Sequence, residues 1–223
     1  TGKGRCNVTN DTDLPGLLAN IPRNGKFLYS AFAHWGSADT MAFFERLGVP
    51  LKVERGSRVF PVSDRAFDIS AALERRLKAL RVRWAHDRAV DIETADGAVR
   101  AVRGEGETYP ADAVILATGG VSYPATGSTG DGHRLAAALG HTVTELDGSL
   151  VPLEGVIAPG VPCARLQGLS LRNVGLTVYE GKKKIYQDFG ELLFTHFGVS
   201  GPLVLSASAH MRHFGKKDYR FEI

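Results

Sequence analysis

The sequence predicts an α/β fold of the Rossmann-like, nucleotide-binding class, incomplete, joined to part of a β-rich second domain. Three observations carry this. Val114-Ile-Leu116 is a short apolar run ending in Ala117-Thr-Gly-Gly120, which reads as a buried parallel strand meeting a glycine turn. Gly127-Ser-Thr-Gly-Asp-Gly132 then runs into Leu135-Ala-Ala-Ala-Leu139, a helical pattern closed by Gly140. From Leu150 onward Pro and Gly become frequent and Leu176-Thr-Val-Tyr-Glu180 alternates like a strand. Strand, glycine turn and helix start together aim backbone N–H groups and the positive end of a helix dipole at an anion.

The elements follow in order. Ser37 is a candidate N-cap for a helix over Ala38 to Leu47, with Gly48 as its stop. Arg65 to Leu80 is the clearest helix, with Ile69, Leu73, Leu77 and Leu80 on one stripe. Val82–Ala85 and Ala89–Thr94 read as strands, and Asp96-Gly97 turns the second into Ala98–Val102. A domain boundary is expected near Asp147 to Ser149, giving 1–147 and 148–223. Lys182-Lys-Lys184 reads as a solvated hairpin tip, and Pro202 opens a helix over Leu203 to His210. Tyr219-Arg-Phe-Glu-Ile223 alternates like a strand.

Several classes are argued against. The P-loop reading fails because His133-Arg134 stands where Lys-Ser/Thr is required. G-x-G-x-x-G is also absent: Gly130-Asp-Gly132 leads to Leu135, not to glycine. With the late parts of a nucleotide fold present and its first βαβ unit missing, the chain reads as a middle fragment. Of its residues 43% are hydrophobic and 23% charged, enough for a folded core. The formal charge of +3 gives no sign of nucleic acid, and none is expected as a partner. No apolar run approaches the ~20 residues that span a bilayer, so no membrane partner is expected. Cys6 and Cys163 give no disulfide framework or metal spacing, and a cytoplasmic location is the default.

Five motifs in order carry a family resemblance: Gly4-Arg-Cys-Asn-Val-Thr-Asn10, Phe60-Pro-Val-Ser63, Ala117-Thr-Gly-Gly120, Thr126-Gly-Ser-Thr-Gly-Asp-Gly132, and Leu193-Phe-Thr-His-Phe-Gly-Val-Ser-Gly-Pro202. Together they resemble the BaiN-like (YhiN-type) bacterial NAD(P)/FAD-dependent oxidoreductases over nearly the whole chain. The resemblance implies a two-dinucleotide-binding-type flavoprotein domain that holds FAD, with NAD(P)H as a possible reductant and a small molecule as substrate. It also implies missing N- and C-terminal segments of the same protein, and a fragment that is inactive alone. The family pattern before Arg5 is Ser-Gly-Gly-Gly, whereas here Lys3 puts a cation where the backbone is expected to approach the flavin diphosphate.

The same resemblance gives candidate site residues. Gly4, Arg5, Cys6 and Asn7 form one cofactor loop, in which Arg5 and Asn7 supply donors. The alternative is a capped turn before Leu14. Cys6 is either an activated thiolate or, preferably, a small buried filler. Thr118, Gly119 and Gly120 with Gly130, Asp131 and Gly132 form the second cofactor cluster, where Asp131 accepts from a ribityl hydroxyl or caps the helix. Val90 is expected to hold adenine through its backbone; otherwise it is a core strand residue. Phe60 and Thr195 are assigned to the substrate pocket, and Ser63 either lines it or caps the Arg65 helix. His196 is the candidate proton donor, set against a structural histidine. His210 and His213 have no third ligand nearby, so no metal is expected. No serine stands in a hydrolase motif. The rival to an oxidoreductase is a catalytically silent structural or interaction fragment.

Overall fold

The computed structural model describes residues 4–223; Lys3 lies outside them. The chain divides into two compact units, one running through Val82 and resuming at Asp147–Ile223, the other formed by Arg83–Leu146.

In the first unit β1 (Thr9–Asn10) is followed by α1 (Leu14–Ala19), α2 (Tyr29–His34) and α3 (Ser37–Arg46). Asp13 caps α1 by accepting from the Gly16 N–H, and Asp39 reaches back to the Gly36 N–H at the start of α3. The expected cap of α3, Ser37, is its first helical residue instead, with Gly36 as N-cap. Next come β2 (Leu51–Glu54), β3 (Arg58–Pro61) and α4 (Ala66–Ala79). The first three strands form an antiparallel sheet in the order β1-β3-β2. Ser63 accepts from the Arg65 N–H and donates to Asp68, tying the turn before α4 to its first turn. Of the expected stripe on α4 only Ile69 is buried, beside Ala66 and Ala72; Leu73 and Leu80 are exposed. Val49, Ile69 and Ala72 make the small core here, and the partly buried Cys6 packs against it.

The second unit contains β4 (Ala89–Ala95), β5 (Ala98–Gly104), β6 (Thr108–Pro110) and α5 (Asp131–Ala138). The three strands pair antiparallel in sequence order. Asp96 and Gly97 both have positive φ, the mirror-image turn that matches strand twist. Two strand expectations are corrected. Val82–Ala85 has no regular structure, and neither does Val114–Leu116. A parallel strand is held by hydrogen bonds from its neighbours. Among the described residues none pairs with 114–116, all strand pairings are antiparallel, and Ile115 is 92% exposed.

The chain returns to the first unit as β7 (Leu153–Glu154), β8 (Val156–Ala158), β9 (Val161–Pro162), β10 (Ser170–Glu180), β11 (Lys183–Phe194), β12 (Gly198–Ser200), α6 (Pro202–Ser208) and β13 (Tyr219–Glu222). Five of these strands form the sheet β13-β10-β11-β12-β7, while β8 and β9 form a separate ribbon. Alternation on β10 and β11 puts Leu176, Val178, Leu192 and Phe194 on one face, where α6 covers them with Leu203, Val204 and Ala207. Of the lysine run expected at a hairpin tip, Lys182 lies at the β10–β11 turn, while Lys183 and Lys184 open β11 and pair with Glu180 and Tyr179. Ser208 is buried and satisfied: its hydroxyl donates to the Leu205 carbonyl and accepts from the Val151 N–H.

Candidate functional site

The second unit gathers Val90, Thr118, Gly119, Gly130, Asp131 and Gly132 around the start of α5. The helix begins at Gly130, whose φ of 82° suits glycine, and no side chain caps it. Among the described residues its first N–H groups therefore have no intrahelical or side-chain partner, the usual condition for receiving an anion.

The glycines act differently from one another. A β-carbon on Gly130 would stand 2.9 Å from Val121 Cγ1, and one on Gly132 would strike the Thr118 hydroxyl. These two positions let the 118–121 loop lie against the 127–132 loop. A β-carbon on Gly120 meets nothing within 4 Å. Gly120 thus has open space beside its backbone, whereas the room at Gly130 and Gly132 is already used by the protein.

Asp131 sits in the first turn of α5, where its charge alone would repel a phosphate. Two arginines offset it. Arg88 donates to Asp131 through Nε at 3.2 Å and Nη2 at 3.1 Å, and Arg134 Nε lies 3.7 Å from Oδ1. The Thr129 hydroxyl and Arg88 hold the Asp131 carboxyl below its ordinary pKa. Arg134 also donates to the Val90 carbonyl at 3.0 Å. Val90 lies where the β4–β5 register shifts between Ala89 and Asp91, and a bulge of this kind re-aims the residue it displaces. His133 Nδ1 is buried with no partner among the described residues and would be 3.9 Å from a β-carbon on Gly130. A polar group of a ligand is one way to satisfy such an atom. An open backbone at Gly120, uncapped helix amides, a neutralised Asp131 and an orphaned ring nitrogen fit a diphosphate-bearing cofactor.

Asp87 fixes the approach to this cluster. Its carboxylate accepts from the backbone N–H groups of Arg88, Glu105, Gly106 and Glu107 and from the Tyr109 hydroxyl. Burial acts to raise its pKa, but these donors outweigh it and hold the carboxyl low. The segment leading into Arg88 and Val90 is thereby tied to the β5–β6 turn.

The remaining candidates belong to the first unit. Arg5 does not offer a free guanidinium: it donates to Glu54 at 2.6 Å and to Asp64, and Lys52 Nζ reaches Asp64 at 2.7 Å. The hydrogen bonds that Arg5 donates to Glu54 and Asp64 raise its pKa; Lys52 and Arg5 lower that of Asp64. The Arg5 guanidinium also stands 4.2 Å above the ring of Phe60, which is only 6% exposed. The structure thus joins the Gly4–Asn7 loop to Phe60. Gly4 and Cys6 both have positive φ. Thr195 and His196 lie on a different sheet, at the β11–β12 turn. Thr195 closes that turn by accepting from the Gly198 N–H, while His196 is exposed with its ring edge-on to Phe197.

Sequence reasoning missed Arg88, Arg134, His133, Asp87, Glu54, Asp64 and Lys52. One local signal existed: Lys52 and Glu54, two apart on a strand, share a face.

The family profile described as the HI0933-like protein Rossmann domain matches residues 1–208. The chain is 31% identical over 212 residues to the 3-dehydro-bile acid delta(4,6)-reductase of Clostridium scindens, covering 95% of this chain and 50% of that protein. It is 28% identical over 210 residues to the ribosomal RNA dihydrouridine synthase of Escherichia coli, covering 94% and 50%. To the enzyme of that name in Haemophilus influenzae it is 30% identical over 212 residues, covering 93% and 51%. The chain therefore spans about half the length of these relatives. Two of them are named for work on ribosomal RNA, which corrects the expectation that nucleic acid is not a partner. Net charge averages over a surface, whereas contact with nucleic acid depends on where the cations stand. No helix among the described residues is long and apolar enough to cross a membrane.

Proposed function

Since this chain belongs to the HI0933-like Rossmann family, we propose that it forms the cofactor-holding part of an FAD-dependent oxidoreductase that reduces a carbon–carbon double bond conjugated to a carbonyl. The observation that carries the proposal is the two-loop cradle at the start of α5, with Gly120 open and the N-terminal amides uncapped. The names of the relatives agree on the chemistry. A delta(4,6)-reductase of a 3-dehydro-bile acid and a dihydrouridine synthase both add hydrogen across a ring double bond near a carbonyl.

FAD, when bound, supplies the two-electron chemistry, with NAD(P)H as the proposed reductant. This chain supplies position and electrostatics. The amides of 131–133 and the Gly120 backbone would hold the diphosphate, with Arg88 and Arg134 offsetting the Asp131 charge in the first turn of α5. Asp131 retains acceptor capacity at Oδ1 for a hydroxyl. Val90, whose carbonyl now accepts from Arg134, would hold the adenine through its backbone. In the first unit Arg5 holds the Gly4–Asn7 loop through Glu54, Asp64 and Phe60. His196, exposed on its turn, donates or accepts the proton that accompanies reduction.

The test is made on the full-length parent protein. It is expected to purify with FAD and to reoxidise its reduced flavin with a cyclic enone or a uridine-containing RNA, consuming the double bond. A protein that cannot be reconstituted with FAD would overturn the flavoprotein reading. Normal FAD content with no double-bond reduction on either substrate would overturn the reaction while leaving the cofactor.

A further inference from the structure

A cavity of about 290 Å³ opens beside the last turns of α3 and α4, lined by Phe43, Arg46, Leu47 and Arg76. Its wall is set by an aromatic ladder. The Trp35 ring stands edge-on to Phe43 with centroids 5.6 Å apart, and Phe43 in turn meets Phe44 at 5.2 Å. Leu47 is anchored from below by the Val49–Ile69–Ala72 core. Phe43 and Leu47 thus give the cavity an apolar wall held by packing.

The two arginines have no assigned work there. A cation in the last turn of a helix complements the helix dipole, which explains one basic residue on each helix. It does not explain why both arginines line one cavity together with Phe43 and Leu47. The open carbonyl of Leu47 at the end of α3 is approached at 3.5 Å by Arg75, not by Arg46 or Arg76. Among the described residues, neither Arg46 nor Arg76 has an ion-pair or side-chain hydrogen-bond partner. Two arginines without such a partner, lining a cavity with Phe43 and Leu47, match an anion that has an apolar body. Guanidinium forks bind carboxylates in a bidentate manner. A small, fully hydrated anion such as phosphate would leave Phe43 and Leu47 without a contact.

We propose that this cavity is a binding site for a small carboxylic acid with an apolar tail or ring, the carboxylate between Arg46 and Arg76 and the body against Phe43 and Leu47. The site is confined to the helices of the first unit and does not depend on the flavin cradle, so it stands or falls separately from the proposed reductase activity.

The structure supplies a reporter. The chain has two tryptophans, and Trp35 touches Phe43 directly. In the protein with every tryptophan except Trp35 changed to Phe, Trp84 among them, the intrinsic tryptophan fluorescence belongs to Trp35. Titration with phenylbutyrate at low salt is expected to give a saturable change with a dissociation constant of about 0.1–1 mM, ordinary for a small ligand in a shallow site. Phenylbutanol, which keeps the body and lacks the charge, is expected to bind at least about tenfold more weakly, the loss of one charge-assisted contact. Inorganic phosphate is expected not to compete. The Arg46→Gln/Arg76→Gln double variant is expected to lose at least about tenfold in phenylbutyrate affinity by the same reasoning. Equal binding of acid and alcohol, effective competition by phosphate, or no saturable change would each overturn the proposal. The acid–alcohol comparison uses protein with both arginines intact, so it decides the matter even if the double variant does not fold.

Discussion

Arg88 and Asp131 stand 43 residues apart in sequence and are joined by three guanidinium–carboxylate contacts of 3.1–3.3 Å. The pairing places a carboxylate in the first turn of an uncapped helix without leaving that turn negative. It also turns Asp131 so that Oδ2 takes most of the donors and Oδ1 keeps capacity for a ligand. In the full-length protein Asp131→Ala is therefore expected to weaken FAD by about 10- to 100-fold, the range for a hydrogen bond to a charged group. Arg88→Ala should weaken it less. Flavin titration of the apo-protein measures both, and unchanged affinity in both would remove Asp131 from the cradle.

Acid should loosen the second unit. Asp87 and Asp131 both have folded-state pKa values below the ordinary 3.8. A carboxyl with a lowered folded pKa contributes stability that is complete above its unfolded pKa and lost as pH falls through the folded one. Melting temperature is expected to be flat from about pH 7 to about pH 5 and to fall below about pH 4. Asp87→Asn should lower the plateau and flatten that acid limb, because the amide cannot accept from all five donors. An acid limb identical to wild type would show that Asp87 does not couple to stability.

The glycines separate by what faces them. Gly130→Val forces a β-branched residue into positive φ and against Val121. It should lower the melting temperature of the apo-protein along with its flavin content. Gly120→Ala should leave the apo melting temperature nearly unchanged and reduce FAD affinity. If Gly120→Ala binds FAD normally, the open space beside it is not where the cofactor lies.

His196 is exposed, so His196→Ala is expected to leave the fold and the flavin content intact. If it transfers a proton, the substrate half-reaction should slow by about 100- to 10,000-fold. Stopped-flow rates on variants matched for flavin decide this. A loss below about tenfold would leave it a positioning role at most, since that is short of the general acid–base range.

The five-stranded sheet offers a check on the fold itself. Leu192 is fully buried beneath α6, and Leu192→Ala should cost about 2–5 kcal/mol, read by denaturant unfolding. A smaller loss would mean that the site collapses around the deletion.

Much of the architecture was legible locally. Asp96-Gly97 announced its hairpin, the apolar spacing over 66–79 its helix, and the alternation of 176–180 its strand, because turn chemistry and periodicity are written within a few neighbouring residues. The glycine clusters at 117–120 and 127–132 were legible as a pair of loops, and the five ordered motifs pointed to the family that the profile match shows.

Tertiary structure alone decided how the charges are spent. Arg5 looked like a free phosphate donor, yet it is held by Glu54 and Asp64, which lie 49 and 59 residues away. The apolar run 114–116 looked like a buried strand, yet it lies open, because a parallel strand exists only where a neighbour supplies its hydrogen bonds. The room at Gly130 and Gly132 looked reserved for a ligand, yet Val121 and Thr118 occupy it, leaving open space at Gly120 and Gly127. Each of these depends on which distant group the folded backbone brings near, and local sequence patterns carry no record of that proximity.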